Sequence, residues 1–240
     1  MDEKISKLSK ILKESKNIVF FGGAGVSTES GIPDFRSASG VFNMEYRYPP
    51  ETILSHTFFE THTKEFYKFY REVMLYPDAE PNDAHKALAL LEKEGRLLAV
   101  VTQNIDGLHQ KAGNSTVYEL HGSVHRNYCQ NCGKSYGLKF IIDNTPLPVC
   151  SCGGLIKPDV VLYEEALNPN TIDNSIYAIS RADTLIIGGT SLNVYPAAGL
   201  IDYFRGKNLV LINKSETPSD RMATLCIHDS IGKVLKEATA

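Results

Sequence analysis

A polar-rich run, Thr102-Gln103-Asn104-Ile105-Asp106-Gly107-Leu108-His109, follows an apolar stretch at 97–102 and gathers amide, carboxylate and imidazole side chains within a few residues. Buried amides and carboxylates cost free energy unless paired, so such a run at a strand end is either a capping network or a ligand site. Open parallel sheets bind ligands beyond the carboxyl ends of their strands, which favours the ligand site. A second candidate, His121-Gly122, follows the stretch 118–120 and would present an imidazole at the same sheet edge. Histidine titrates near neutrality and serves as a general base, although a histidine before a glycine is as readily structural as catalytic. His109 reads as lining a helix, and His56, His62, His85, His125 and His228 carry no comparable context, so they read as structural or surface residues.

Two glycine-rich turns could supply the other half of a binding site. Residues 17–21, Asn-Ile-Val-Phe-Phe, read as a buried strand, and Gly22, Gly23 and Gly25 just after it would let backbone amides approach a ligand. Successive amides at a helix start attract phosphate. The turn lacks the third glycine of the usual dinucleotide fingerprint, with Thr28 in its place; alone it favours cofactor binding, with an ordinary strand-to-helix connection as the alternative. Gly188-Gly189-Thr190-Ser191 repeats the logic after another apolar strand, offering amides and hydroxyls to a second part of an extended ligand. Asn213 ends the following strand, where its amide either reaches a ribose hydroxyl or caps the strand end.

Four of the five cysteines fall in one region, as Cys129-x-x-Cys132 and, after seventeen residues, Cys150-x-Cys152. This is the paired-knuckle spacing of a structural zinc site, in which four thiolates complete a tetrahedron and leave no open position, so the metal would serve folding rather than chemistry. The second knuckle is one residue short, which constrains its chelate turn. Cys226 stands alone in an apolar stretch and reads as a small core residue.

The elements that must position these groups are strand-like runs at 17–21, 97–102, 116–120, 184–188 and 208–213, alternating with amphipathic stretches. Such alternation predicts an α/β fold, a parallel sheet covered by helices. Between the first two strands lie a polar loop, 37–47, and an aromatic-rich helical segment, 64–74, which together form an insert; 123–157 carries the cysteines and gives way to Val160-Val161-Leu162-Tyr163. The chain closes on a helix at 231–240. At 240 residues and net charge −3, with Lys and Arg scattered, there is no basic field for nucleic acid and no apolar run long enough for a bilayer. The opening Met-Asp-Glu-Lys-Ile-Ser-Lys lacks the apolar stretch of a secretion signal, so the expected compartment is the cytoplasm, where clustered cysteines favour a metal over disulfides.

Taken together, Gly23-Ala24-Gly25-Val26-Ser27, Gly31-Ile32-Pro33-Asp34-Phe35-Arg36, Thr102-Gln103-Asn104-Ile105-Asp106, His121-Gly122, the four cysteines and Gly189-Thr190-Ser191 resemble the sirtuin family over nearly the whole chain and in order. The resemblance implies an NAD-dependent protein-lysine deacylase with one structural zinc. It also implies a Rossmann-like domain with helices on both faces (1–36, 77–122 and 158–240) and a small domain made of a cofactor loop with helical insert (37–76) and a zinc module (123–157). By similarity, Ala24, Thr28 and Arg36 would line the cofactor loop, and Phe35, Ile105 and Asp106 would enclose nicotinamide. Gln103 would meet a ribose hydroxyl, Thr190 and Ser191 the phosphates, and Asn213, Ser230 and Ile231 the adenosine end. His121 would be the general base and Asn104 would order the ribose and a water. The implied partner is an acyl-lysine peptide, added as a strand between Val160, Val161 and Tyr163 on one side and Val194 on the other. A monomer is expected.

Three departures from the family pattern stand out: Gly22 for a common threonine, Glu164 for glycine in a Phe-Gly-Glu loop, and the short second knuckle. Relatives that favour acidic acyl groups carry Tyr-x-x-Arg on the small-domain helix, whereas this chain has Tyr67-Lys68-Phe69-Tyr70; by the resemblance Tyr67 would contact the substrate and a neutral acyl group is expected, with Arg71 on roughly the same face as Tyr67. Rival readings are an NAD or ADP-ribose sensor without turnover, a mono-ADP-ribosyltransferase, a zinc-ribbon nucleic-acid binder and a dehydrogenase. The neutral residues around the cysteines oppose the third, and the zinc module beside this polar set has no reason in the fourth.

Overall fold

The computed structural model describes residues 3–35, 37, 40–41 and 46–240. Its centre is a six-stranded parallel sheet formed by β1 (Ile18–Gly22), β2 (Leu97–Thr102), β3 (Val117–Glu119), β7 (Thr184–Gly188), β8 (Asn208–Ile212) and β9 (Leu225–Ile227). The strands lie in the order β3-β2-β1-β7-β8-β9, so the direction of winding reverses between β1 and β7. Such a reversal opens a crevice at the carboxyl ends of the two strands, because the connections leave towards opposite faces.

Both faces of the sheet are covered, which is why its central strands are apolar runs and not alternations. Ile18 and Phe20 of β1 point into one apolar cluster with Val100, Ile186 and Val210, while Val19 and Phe21 point into another with Ala99, Val101, Leu185 and Ile187. The first cluster is closed by α1 (Glu3–Glu14), α5 (Asp83–Lys93) and α9 (Ile231–Thr239), the second by α8 (Pro169–Arg181) and a 3-10 segment, Ala197–Tyr203. Local chemistry starts these helices. Asn82 caps α5 by accepting from the Ala84 amide at 2.9 Å, and the His85 ring accepts from the Asn82 amide in return. Asn168 caps α8 in the same manner, immediately before Pro169, which suits the first helical position.

A second unit hangs from this sheet. It contains α2 (Pro50–Ile53), α3 (His56–Thr61), α4 (Thr63–Phe69) and a π-helical turn Tyr70–Met74, together with a three-stranded antiparallel sheet of β4 (Gly122–Cys129), β5 (Ser135–Tyr136) and β6 (Ile156–Val160) and the short α7 (Leu138–Asp143). The helices and the cysteine-bearing sheet share one apolar cluster, in which Phe59, Phe66 and Tyr67 meet Cys129, Cys150, Ile141 and Ile156. Arg71 fastens the two halves, donating from Nε to the Ile141 carbonyl at 2.8 Å and from its terminal nitrogens to the carbonyls of Asn144 (2.8 Å) and Pro146 (3.0 Å).

The run Val160-Val161-Leu162-Tyr163 is strand only at its first residue. The regular strand is β6, ending at Val160, held by β4 despite the proline in Ile-Lys-Pro-Asp-Val. Val161 continues as an extended link whose amide donates to the His121 carbonyl at 3.0 Å, and Tyr163 makes a parallel bridge with Ser55. Cys226 is half-buried in β9 and packs against the second cluster. No described helix is long and apolar enough to cross a membrane. Leu88, fully buried where α5 meets the sheet, tests this packing. Leu88→Ala is expected to lower unfolding free energy by about 2–5 kcal/mol in a urea titration.

Candidate active site

Parallel pairing brings four strand ends to one level. Gly22 of β1 is in register with Thr102 of β2 and Gly188 of β7, and Gly188 with Ile212 of β8. The residues that follow each end therefore meet: Gly23-Ala24-Gly25, Gln103-Asn104, Gly189-Thr190-Ser191 and Asn213. The two glycine turns touch at backbone level. A Cβ on Gly25 would lie 2.8 Å from the Gly189 Cα, and one on Gly189, where φ is 61°, would lie 2.3 Å from the Val26 nitrogen. The Gly25 amide donates to the Gly189 carbonyl at 2.8 Å, and that of Gly23 to Gly188. These two amides thus join the turns to each other and are not offered to an anion, which corrects the sequence reading of them. The glycines are needed for close approach.

The polar run forms a connected network above this junction. Ser27 Oγ donates to Asp106 Oδ2 at 2.6 Å and accepts from Asn104 Nδ2 at 3.0 Å. The other Asp106 oxygen accepts from the Leu108 amide at 2.9 Å, at the start of α6 (Leu108–Ala112). His125 donates from Nε2 to the Asp106 carbonyl at 3.0 Å. His121 Nδ1 lies 3.0 Å from the Gln103 carbonyl, which can only accept, so Nδ1 carries the proton and Nε2 the lone pair. Burial holds the His121 pKa below the ordinary histidine range, opposed by that same bond. Gln103 Nε2 donates to Thr190 Oγ1 at 3.1 Å, and Asn213 Oδ1 accepts from the Thr190 amide at 3.0 Å. Asn213 Nδ2 is buried with no partner among the described residues.

A cleft of about 810 Å³ opens over this network. It is lined by Ala24, Thr28, Phe35, Gln103, Asn104, Ile105, Asp106, His121, Thr190, Ser191, Asn213 and Ile231, by Val160, Val161 and Tyr163 at and just after the end of β6, and by Val194 in the connection that follows β7. Arg36 lies outside the described residues. Ser230 is not on the wall; its neighbours Asp229 and Ile231 are. Tyr67 is a correction: it is fully buried in the second unit, its hydroxyl donating to the Ile156 carbonyl, and it does not reach the cleft. Ser27 and His125, which line the cleft and hold Asp106, were not singled out by the sequence reading. Ser27 lies inside the quoted glycine motif, but its partner is 79 residues away, and for His125 no local signal exists.

The four cysteines converge. Their sulfurs all lie within 4.8 Å of one another, with Cys129–Cys152 at 3.4 Å, Cys132–Cys152 at 3.5 Å and Cys132–Cys150 at 3.6 Å. A zinc–sulfur bond of about 2.3 Å gives a tetrahedral edge of about 3.8 Å, so the set is placed to hold a zinc ion, and the short second knuckle does not prevent it. The amide of Cys152, and then the Tyr136 hydroxyl at 3.0 Å, pull the Cys150 thiol down to about 5, which favours the thiolate that a metal needs.

The Sir2 family model matches residues 23–196, from the first glycine turn through the second. The chain belongs to the Sir2 family. It is 62% identical over 238 residues to an NAD-dependent protein deacetylase of Clostridium acetobutylicum, covering 98% of this chain and 97% of the relative. To the protein of the same description from Clostridium perfringens it is 64% identical over 239 residues, covering 98% of each. Among solved structures, a Sir2 enzyme with a deacetylated p53 peptide and 3'-O-acetyl-ADP-ribose superposes with a TM-score of 0.89 at 39% identity, over 97% of this chain and 96% of that one. A Sir2 homologue bound to ADP-ribose gives 0.90 at 40% identity, over 100% and 95%. The Rossmann-like sheet and cysteine cluster are thus those of a sirtuin.

Two expectations follow for this Sir2-family site. Purified protein should carry about one zinc per chain by elemental analysis, and Cys132→Ser should lower both metal content and melting temperature. Burial lowers His121 and His109 below the ordinary histidine value and takes His85 down to about 4, so all three are neutral in the native state at pH 7. Their stabilising contribution is complete above pH of about 6.5 and is lost as pH falls from there towards 4, at up to about 1.4 kcal/mol per pH unit for each histidine. Urea midpoints should fall between pH 7.5 and pH 5, and fall less in His109→Phe.

Proposed function

We propose that this chain is an NAD-dependent protein-lysine deacetylase. The observation that carries the reading is that His121, Asn104 and Asp106, far apart in role and partly in sequence, line one cleft beside the joined glycine turns. The closely similar clostridial relatives described as NAD-dependent protein deacetylases support it, as does the likeness to Sir2 enzymes solved with peptide and acetyl-ADP-ribose.

The residues fit a dinucleotide. The turn around Gly25 and Gly189 leaves no room for side chains at its floor, and Asn213 keeps a buried donor, Nδ2, next to Thr190. Ala24, Thr28, Thr190 and Ser191 would hold the cofactor's phosphates and near ribose, Gln103 a ribose hydroxyl, and Asn213 and Ile231 the adenosine end. Ser230 enters only as the residue before Ile231, and Arg36 is assigned to the cofactor loop by its place in the motif. Bound NAD supplies an anomeric carbon from which nicotinamide leaves as the acyl oxygen of lysine bonds to it.

Phe35, Ile105 and Asp106 would enclose nicotinamide. Asp106 keeps a fixed negative charge near the developing positive charge, because Ser27 and the Leu108 amide occupy its two oxygens and prevent it from swinging away. Asn104 is held by Ser27 and by its own amide on Thr102 Oγ1, so its carboxamide can order a ribose hydroxyl or water. His121 is neutral at pH 7, with Nε2 as the base that takes a ribose hydroxyl proton. The peptide lies along Val160, Val161 and Tyr163 opposite Val194, paired through main chain.

A neutral acyl group suits this geometry. Tyr67 is spent on Ile156, and Arg71 on three carbonyls of the zinc module, so neither is available to a distal carboxylate. We further propose that the molecule works as a monomer, since the cleft is complete within one chain. Its compartment would be the cytoplasm, since reduced cysteines suit a metal site there. The domain division is proposed at 1–36, 77–122 and 158–240 for the large domain, with 37–76 and 123–157 as the two parts of the small one.

Mass spectrometry of an acetyl-lysine peptide incubated with NAD tests the reading. Native protein should release nicotinamide, free lysine peptide and O-acetyl-ADP-ribose, and His121→Ala should be slower by about 100-fold or more. Equal turnover by the variant removes His121 from its role, and faster succinyl than acetyl removal overturns the acyl assignment.

A further inference from the structure

Among the described residues, two that are not glycine have left-handed backbone: Glu164, at φ 76°, and Leu192, at φ 56°. They fall in the two segments, 160–164 and 191–194, that would flank a peptide strand. Such strain persists only where neighbours over-determine it. At Glu164 the neighbours are identifiable. Its Oε2 accepts from the Thr57 amide at 2.9 Å and from Thr57 Oγ1 at 2.8 Å, in the first turn of α3, and those bonds hold the carboxyl ionised.

The adjacent acid behaves differently. Glu165 is half-buried and committed to the protein, accepting from Lys157 at 3.0 Å and from the Leu162 amide at 2.9 Å, and pairing with His56 at 2.8 Å. Its charge is balanced internally. Among the described residues, Glu164 accepts hydrogen bonds from the neutral amide and hydroxyl of Thr57, has the His56 ring as a charged neighbour when that ring is protonated, remains exposed, and lines the cleft next to Tyr163. The strained residue therefore sets an exposed carboxylate, whose nearest cationic neighbour His56 is already paired with Glu165 and Glu60, at the edge where main-chain pairing alone would accept almost any sequence.

We propose that Glu164 is a specificity-determining residue that selects substrate peptides carrying arginine or lysine beside the acyl-lysine. The inference rests on the deacetylase reading and deepens it. A cation there gains an ion pair at the cleft rim and the exposed faces of Tyr163 and Tyr195, which line the same cleft. An acidic flanking residue meets like charge instead.

The test uses three acetyl-lysine peptides identical except for Arg, Gln or Glu on both sides of the modified lysine, with NAD saturating and kcat/KM as the readout. Native protein should prefer the Arg peptide over the Glu peptide by about fivefold or more at low salt. The ratio should shrink towards one in about 0.5 M salt, as screening requires. Glu164→Gln keeps an oxygen for Thr57 and should bring the ratio close to one; Glu164→Lys should invert it. Turnover of all three peptides at equal rates, or an Arg preference that survives in Glu164→Gln, overturns the inference alone. No turnover of any peptide overturns the deacetylase reading, and the inference with it.

Discussion

The close approach of the turns at Gly25 and Gly189 is the constraint on which the rest of the site depends. Two backbones in van der Waals contact can be reached only if β1 and β7 are neighbours in register and if neither turn carries a Cβ at the contact. Once that junction is made, the winding reversal places β2 on one side and β8 on the other, and their ends deliver Gln103 and Asn213 to the same place. Thr190 records the convergence, since its hydroxyl and amide bond to residues from each side. The polar groups of the cleft are consequently fixed by sheet register first and by their own hydrogen bonds second.

Much of this was readable beforehand, for physical reasons that differ between elements. The central strands are buried on both faces, so their residues form continuous apolar runs bounded by glycine or polar turns, and these runs mark β1, β2, β7 and β8 almost residue by residue. The cysteine spacing carried its own geometry. The antiparallel sheet of the second unit was not legible as a sheet, because β6 contains lysine, proline and aspartate and is held by pairing to β4, while the apolar residues 161–163 that follow it lie outside the regular strand. The amides of Gly23 and Gly25 were misjudged because their partners, the Gly188 and Gly189 carbonyls, exist only in the folded state. Ser27 and His125 escaped for the same reason: each acts through one bond to a residue distant in sequence.

The polar run and the elements around it are tied by few, well-defined contacts. Asp106 is gripped from three elements: the first turn through Ser27, α6 through its own amide, and β4 through His125. The amide of Val124 donates to the Ile105 carbonyl, and that of Val161 to the His121 carbonyl, so the second unit and the link that follows it reach the polar run and His121 through main chain as well. Geometry around Asp106 and around His121 and Val161 is therefore set by a shared set of strands.

Arg71 has a consequence for how that second unit can move. Its guanidinium spans from the π-helical turn to three carbonyls around residues 141–146, and the aromatic cluster beneath it includes two of the sulfur-bearing residues. Helices and cysteine sheet are consequently a single lever, so any opening or closing of the cleft must swing the whole appendage about its chain crossings, with the four-cysteine cluster carried along as part of it.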